Sequence, residues 1–167
     1  MQLAQEDFVR KFLGILEEFD LPGKVFEVEI TELGLTQGRS GLVEKLQRLR
    51  ESGVSVAIDD FGRGYSSLSY LQDFPVNTLK IDRAFVRDIE EDRNESRIVD
   101  AIALMARGLN LNFVAEGVEN LLQLDYLRNL GCQEVQGYLF AEAMSAKDTM
   151  LILGSHPEEG PRFILPH

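Results

Sequence analysis

The chain has 167 residues, 44% of them hydrophobic and 27% charged, which suits one core of ordinary size but is short for two domains. This composition excludes a disordered, collagen-like or disulfide-dense protein, and the single cysteine excludes an internal disulfide. The formal net charge of −11 argues against a DNA-binding protein, because such a protein needs a basic face. An acidic protein that handles an anionic substrate must obtain positive charge from elsewhere.

Runs rich in β-branched and aromatic residues alternate along the chain with segments of helical periodicity. An opening helix is predicted near Leu3–Phe19, and it ends before Pro22 and Gly23. The predicted strands are Val25–Thr31, Ser55–Phe61, Thr78–Asp82, Leu111–Val118 and Glu134–Phe140. Apolar residues at spacings of three and four predict helices between the strands, marked by Leu42, Leu46 and Leu49, by Ile98, Ile102, Met105 and Leu109, and by Leu121, Leu124, Leu127 and Leu130.

Glycines and a serine mark the ends of the predicted helices. Gly53, Gly108 and Gly131 each come just before a strand, and glycine tolerates the left-handed conformation that ends a helix. Ser145, followed by Asp148, is typical of a capping box that opens a last short helix. Strands that alternate with helices through short loops predict an α/β protein with a parallel sheet. No Gly-x-Gly-x-x-Gly follows the first strand, so a dinucleotide-binding fold is not favoured.

The sequence shows no pattern that predicts insertion into a membrane. No stretch approaches the ~20 apolar residues that a membrane helix needs, and the N-terminus lacks the apolar region of a signal peptide. We therefore predict a cytoplasmic protein without direct membrane insertion. Residues 155–167 contain three of the five prolines and are predicted as a tail that follows a single domain over residues 1–154.

Acidic residues lie at or just beyond the carboxyl ends of four predicted strands: Glu29 and Glu32, Asp59 and Asp60, Asp82, and Glu116 and Glu119. Lys80 lies on the third strand and Gln136 on the fifth. In a parallel β/α protein these strand ends open onto one rim, where loops build the active site. We therefore expect side chains that are distant in sequence to meet there.

Carboxylates that gather at one rim repel one another unless a cation lies between them. Mg²⁺ and Mn²⁺ prefer carboxylate oxygens, whereas zinc is less favoured because both histidines lie in the C-terminal tail. The adjacent Asp59 and Asp60 suit two ions with one bridging carboxylate, the usual arrangement for hydrolysing a phosphodiester. The pattern thus predicts a divalent metal site at the rim.

Each of these signals also has a simpler structural interpretation. An Asp-Asp pair at a strand end is typical of a solvated turn, Lys80 suits a rim salt bridge, and Glu116 and Glu119 suit the first turn of a helix. The loop Gly62–Ser67 is either an ordinary connection or one that binds phosphate. The repetition of acids at four strand ends favours the metal site.

Five segments carry a resemblance to a known family: EVEITE (Glu27–Glu32), DDFGRGYSSLSYL (Asp59–Leu71), LKIDRAFV (Leu79–Val86), VAEGVE (Val114–Glu119) and EVQGYLF (Glu134–Phe140). In order and spacing they resemble EAL domains, from about Phe8 to Leu151. The resemblance implies a TIM-barrel-like α/β fold, here a partial barrel of about five β/α units. It also implies a role in bacterial signalling, namely hydrolysis of cyclic di-GMP to linear pGpG, with Mg²⁺ or Mn²⁺ as cofactor and two ions in a complete site.

The resemblance assigns roles to individual residues. The implied metal ligands are Glu29, Asp59, Asp60 and Glu116, with Asp59 in the bridging position. Lys80 matches the lysine that holds the attacking water, and Gln136 matches a polar contact near the metals and the water. The implied catalytic residues are therefore Lys80, Glu116 and Gln136.

Other residues are assigned to the surroundings of this site. Glu32 resembles the residue that anchors the substrate loop, a segment tied in this family to metal binding and dimer formation. The residues of that loop are Gly62, Arg63, Gly64, Tyr65 and Ser66. Asp82 lies beside Lys80 on the same strand face, and Glu119 matches a supporting carboxylate.

The chain departs from the family because it lacks the Glu-Ala-Leu strand and the asparagine strand that precedes the opening helix. These segments carry a metal-ligating Glu, a metal-ligating Asn and a substrate-contacting Arg, so the chain resembles the last five of eight strands. We expect impaired hydrolysis by this chain alone. Two open sheet edges predict a homo-oligomer or pairing with the missing N-terminal half of the barrel. The alternative function is a non-catalytic cyclic di-GMP binding or protein-interaction module.

Overall fold

The computed structural model describes residue 3 and residues 5–37, 39–62, 71, 73–89 and 97–154. The described helices are α1 (Phe8–Glu18), α2 (Glu32–Gln37), α3 (Arg39–Glu51), α4 (Arg83–Arg87), α5 (Arg97–Gly108), α6 (Leu121–Asn129) and α7 (Ala146–Gly154). The strands are β1 (Glu27–Thr31), β2 (Ser55–Phe61), β3 (Thr78–Ile81), β4 (Asn112–Glu116) and β5 (Glu134–Gln136). The predicted tail, residues 155–167, lies outside the described ranges.

The strands form one sheet in the order β1-β2-β3-β4-β5, and every neighbouring pair is parallel. Parallel neighbours need a crossover that returns the chain across one face of the sheet. Helix α3 lies between β1 and β2 in the sequence, α5 lies between β3 and β4, and α6 lies between β4 and β5. This confirms the predicted α/β fold of about five β/α units, in which successive strands are neighbours as in an arc of a β/α barrel.

Alternate residues of each strand face opposite sides of the sheet. One side is apolar and packs in the hydrophobic core; its residues, each at most 2% exposed, are Ile30, Val56, Ile58, Leu79, Ile81, Phe113 and Ala115. The other side, which we call the polar face, is defined by Glu27, Glu29, Asp59, Thr78, Lys80, Glu116 and Gln136. The two kinds of side chain alternate along the strands, so burial of the apolar side places the polar residues on the opposite one.

The helices cover the apolar side with leucine and alanine stripes. Helix α3 buries the stripe predicted for it, Leu42, Leu46 and Leu49. Helix α5 is rotated by one residue from the prediction: Ile98 is 48% exposed, and the buried residues are Val99, Ile102, Ala103 and Ala106. In α6, Leu124 and Leu127 are buried, whereas Leu121 is exposed. Helices with apolar residues on several sides do not reveal from spacing alone which side meets the sheet.

Strand ends differ from the prediction where a turn or a cap intervenes. Strand β1 begins two residues later than predicted, at Glu27, because Gly23–Val25 form a 3₁₀ turn. Strand β3 ends at Ile81, because the Asp82 carboxylate accepts a hydrogen bond from the Ala84 backbone N at 2.7 Å and caps α4. Strand β2 has the predicted bounds.

The last two strands and the first helix are also shorter than predicted. Strand β4 ends at Glu116, where Gly117 takes a left-handed φ of +73°. Strand β5 ends at Gln136, because the Phe140 backbone N donates to the Gly137 carbonyl and forms a turn. Helix α1 begins five residues later than the predicted opening helix and ends one residue earlier.

Two of the predicted glycine stops are confirmed, because Gly53 and Gly131 have φ of +83° and +71°. The third, Gly108, is confirmed as the residue on which α5 ends, but the left-handed residue is Asn110, with φ of +56°. Asparagine tolerates this conformation because its short polar side chain can bind the local backbone.

In the short helices, a capping residue can be recognised in the sequence, whereas an apolar period cannot. Ser145 caps α7 as predicted, because its Oγ accepts a hydrogen bond from the Asp148 backbone N at 3.2 Å. Helices α2 and α4 were not predicted, since six and five residues are too few to show an apolar period. Within the described ranges, none of the helices is both long enough and apolar enough to span a membrane.

Gly137 follows β5 where there is no room for a side chain. An added Cβ atom would lie 2.1 Å from the Val118 carbonyl oxygen and 2.3 Å from its backbone N. We expect Gly137→Ala to lower the free energy of unfolding by about 1–3 kcal/mol in urea denaturation, because the backbone must move. Gly14→Ala in α1 is the matched control, since an added Cβ meets nothing within 4 Å; it should raise stability by about 0.5–1 kcal/mol. Equal effects of the two substitutions would contradict this packing.

Candidate functional site

Lys80 lies near the centre of the polar face, on β3, with two strands on either side. The residue is 7% exposed. A buried lysine needs partners for its ammonium group, because an unpaired charge away from water is strongly unfavourable. Those partners come from two other strands.

Two carboxylates bind the Lys80 ammonium group. Its Nζ donates a hydrogen bond to Glu29 Oε1 on β1 and lies 2.6 Å from Glu116 Oε1 on β4. Strand β2 lies between Glu29 and Lys80, and the residue level with Glu29 on that strand is Ala57. Three residues from three strands thus form one cluster, which we call the Lys80 cluster.

The two carboxylates decide the charge state of the lysine. Burial alone would lower the pKa of Lys80, because it removes water from the ammonium group. The hydrogen bonds to Glu116 and Glu29 outweigh burial and raise the pKa of Lys80 above its usual value. The lysine is therefore charged at neutral pH, and the Lys80 cluster of one cation and two anions is net negative.

Asp59 and Asp60 end β2 in an irregular stretch of backbone. Asp59 lies level with Thr31 on β1, and its Oδ1 accepts a hydrogen bond from the Asp60 backbone N at 2.9 Å. Asp60 has φ of +54°, and the register between β2 and β3 shifts between Ile58 and Phe61. A left-handed residue other than glycine is uncommon, and such residues cluster at functional sites.

Glu32 holds the start of the predicted substrate loop. The residue is 4% exposed, and its Oε2 accepts a hydrogen bond from the Gly62 backbone N at 3.0 Å. Gly62 has φ of +100°, and an added Cβ would lie 2.8 Å from the Phe85 ring. A buried carboxylate and a glycine that no other residue can replace without strain therefore fix this end of the loop. The other predicted loop residues, Arg63, Gly64, Tyr65 and Ser66, lie outside the described residues.

Glu116 and Gln136 lie side by side at the ends of β4 and β5. The loop after β4 is fastened to β5, because the Val118 backbone N donates to the Gln136 carbonyl at 3.0 Å. The Leu139 backbone N in turn donates to the Val118 carbonyl at 3.0 Å. These backbone contacts hold the exposed Gln136 next to the half-buried Glu116.

Gln123 on α6 is a residue that the sequence prediction missed. Its side chain is 1% exposed, and its Oε1 accepts hydrogen bonds from the backbone N of Glu119 at 2.7 Å and of Asn120 at 3.3 Å. Asn120 Oδ1 accepts from the Gln123 backbone N at 2.9 Å, which completes a capping box. The pair positions the loop that carries Glu119 and follows Glu116. The pattern Asn-x-x-Gln from Asn120 is the sequence signal that identifies it.

Two other predicted residues lie at the starts of helices, Asp82 at α4 and Glu119 just before the first residue of the α6 cap. Asp82 is 4% exposed and its carboxylate caps α4, so the described contact of this side chain is with a helix end. Glu119 is exposed, and its backbone N is held by Gln123.

The predicted metal ligands fall into two pairs. Glu29 and Glu116 meet at Lys80, and Asp59 and Asp60 are adjacent at the end of β2. Across the part of the chain that the structure describes, no three His, Cys, Asp or Glu side chains are grouped closely enough to hold a metal ion. The donor chemistry still fits a hard divalent ion, because carboxylate oxygens are its preferred ligands and two of them already share a cation.

Parallel strands in sequence order, with carboxylates and a buried lysine on one face, define a domain of the β/α-barrel type. A model of the EAL domain family matches residues 1–143. The chain belongs to this family.

Several relatives and solved structures are similar to most of this chain. The cyclic di-GMP phosphodiesterase NbdA of Pseudomonas aeruginosa is 44% identical over 142 residues, which are 85% of this chain and 18% of NbdA. The EAL domain of Mycobacterium smegmatis DcpA is 39% identical, with a TM-score of 0.86 over 92% of this chain and 69% of that chain. A complex of Klebsiella pneumoniae BlrP1 with manganese and cyclic di-GMP is 33% identical, with a TM-score of 0.75 over 84% of this chain and 36% of that chain. The chain spans about a fifth of the length of the first curated relatives it matches.

The capping box at α6 gives a direct test of how the loop after β4 is held. Gln123→Met keeps the length of the side chain but removes the acceptor, so we expect the free energy of unfolding in urea to fall by about 1–2 kcal/mol. Gln123→Glu keeps an acceptor at the N-terminus of a helix and should retain most of the stability. Equal losses in the two variants would show that the hydrogen bonds to Glu119 and Asn120 are not what Gln123 contributes.

Proposed function

We propose that this chain carries a catalytic face of a cyclic di-GMP phosphodiesterase, which hydrolyses cyclic di-GMP to linear pGpG with Mg²⁺ or Mn²⁺. The observation that carries the proposal is the Lys80 cluster, in which Glu29 and Glu116 from separate strands share one cation. Membership of the EAL family supports it, as do the phosphodiesterase NbdA and the manganese and cyclic di-GMP complex of BlrP1.

Four carboxylates are proposed to hold the metal, two ions in a complete site: Glu29, Asp59, Asp60 and Glu116. When bound, the ions activate a water molecule and stabilise the charge that develops on the phosphate. Lys80 donates from its ammonium group to the oxygen of the attacking water and offsets negative charge in the transition state. Gln136, at the end of the neighbouring strand, binds the same water through its side-chain amide.

The residues around the site keep these groups in place. Glu32 holds Gly62 at the start of the proposed substrate loop. Gln123 holds the turn after Glu116, which includes the proposed supporting residue Glu119. Catalytic groups need fixed positions, because small displacements from the productive geometry cost rate.

We propose that hydrolysis by this chain alone is slow. Among the described residues no three acids form a metal-binding group, and the chain covers 69% of the DcpA EAL domain structure. The first of these observations also favours a second candidate function, a module that binds cyclic di-GMP or another protein without turnover.

We also propose that the sheet edges pair with further strands, supplied by a second copy of the chain or by the rest of an EAL barrel. Each of β1 and β5 has a neighbouring strand on one side in the described structure. An open edge presents backbone N–H and C=O groups that favour pairing. We expect light scattering at micromolar concentration to find species larger than the 18.8 kDa monomer. A monodisperse monomer would contradict this proposal.

The activity is tested by incubating the chain with cyclic di-GMP and Mn²⁺ and separating the products by chromatography. We expect slow formation of linear pGpG that Glu29→Gln abolishes, because the substitution removes a carboxylate from the proposed metal site. Glu17→Gln is the matched control, since Glu17 is an exposed residue of α1. Product formation unchanged by Glu29→Gln would refute the proposed site. Binding by calorimetry without any pGpG would select the non-catalytic module.

A further inference from the structure

The Lys80 ammonium group occupies the space between two proposed metal ligands. It contacts Glu29 on one side and lies 2.6 Å from Glu116 on the other. The side chain of Lys80 is 9% exposed, whereas those of Glu29 and Glu116 are 46% and 26% exposed, so water screens these charges in part. The contact therefore does two things: it joins β1, β3 and β4, and it neutralises half of the negative charge of the two carboxylates.

A divalent ion cannot simply be added to this arrangement. Mg²⁺ binds carboxylate oxygens at about 2.1 Å, which would place it within a few ångströms of an ammonium group held by the same two carboxylates. Repulsion between a divalent and a monovalent cation at that separation opposes close binding of both to the same two carboxylates, even where water screens them in part. The ammonium group and the divalent ion therefore compete for the same two carboxylates.

We propose that Lys80 is an exchangeable internal cation, which holds Glu29 and Glu116 together until a divalent metal ion replaces its ammonium group. The inference rests on the proposed metal centre. It adds that Lys80 competes with the metal, in addition to any contact with water during hydrolysis. In the exchanged state the ammonium group is released from the two carboxylates and becomes available to the attacking water.

The proposal predicts effects of opposite sign on two measurable quantities. Without the ammonium group the two carboxylates repel each other, so the metal-free protein is less stable. The same repulsion is relieved by a divalent ion, so the ion binds more tightly. A lysine with a purely structural role would change stability alone, and a lysine that only holds water would change turnover alone.

The experiment compares the wild-type chain with Lys80→Met, a neutral side chain of similar length. Thermal unfolding in EDTA measures the stability of the metal-free protein, and calorimetric titration with Mn²⁺ alone measures metal affinity. We expect a lower unfolding temperature for Lys80→Met in EDTA and a dissociation constant for Mn²⁺ about tenfold lower than in the wild type. If Lys80→Met does not fold, Lys80→Gln takes its place, because its amide donates a hydrogen bond without a positive charge.

Lys45→Met is the matched control, because it also removes a lysine that makes two hydrogen bonds. Lys45 Nζ donates to the carbonyl oxygens of Leu3 and Gln5 at 2.8 Å, away from the polar face. We expect this variant to lose stability with no change in the dissociation constant for Mn²⁺.

Equal or weaker binding of Mn²⁺ by the Lys80 variant than by the wild type would overturn the exchange while leaving the metal centre in place. Absence of Mn²⁺ binding in every variant would overturn the metal centre and the exchange together.

Discussion

The parallel register of the sheet is the constraint on which the candidate site depends. Strands β1, β3 and β4 run in the same direction, so Glu29 and Lys80 reach the same end of the sheet although they are 51 residues apart in sequence. A shift of β3 by one residue would turn Lys80 towards the helices and expose the fully buried Leu79 to water. The burial of apolar side chains on one side of the sheet therefore fixes the position of the Lys80 ammonium group on the other side. Packing of the core thus determines which charged groups lie close together in the site.

The sheet can be predicted from the sequence because strand and helix patterns alternate along the chain, even where the ends of single strands are irregular. Strand β2 matches its predicted range residue for residue. The ends of other strands depend on single hydrogen bonds that alternation does not reveal, as at Asp82, whose carboxylate turns back to the α4 backbone. The missed rotation of α5 has a different cause, since Ile98 and Val99 are both apolar and only tertiary contact decides which one is buried.

The sequence predicts which residues of the candidate site share the rim, but it does not predict which of them contact one another. Which carboxylates meet Lys80 depends on distances across the sheet, because Glu29 lies two strands away on β1 and Glu116 lies on the neighbouring β4. Gln123 lies in the helix that Leu121, Leu124 and Leu127 predict, and their spacing gives no sign that its amide holds the turn next to Glu119. A polar residue whose partners are backbone groups is hard to recognise in a search for catalytic side chains, because its role is to hold neighbouring residues in position.

Charge sets the order in which the proposed site can be filled. The Lys80 cluster is net negative even with its lysine charged, and the whole chain has a formal charge of −11. A phosphodiester brings further negative charge, so its approach to this face is opposed until additional cations are bound. Replacement of the ammonium group by a divalent ion would bring the summed charge at Glu29 and Glu116 from −1 to 0, and it would also free the lysine. The proposed exchange would therefore precede binding of the anionic substrate, because it removes negative charge that opposes the phosphate and leaves the ammonium group available to the attacking water.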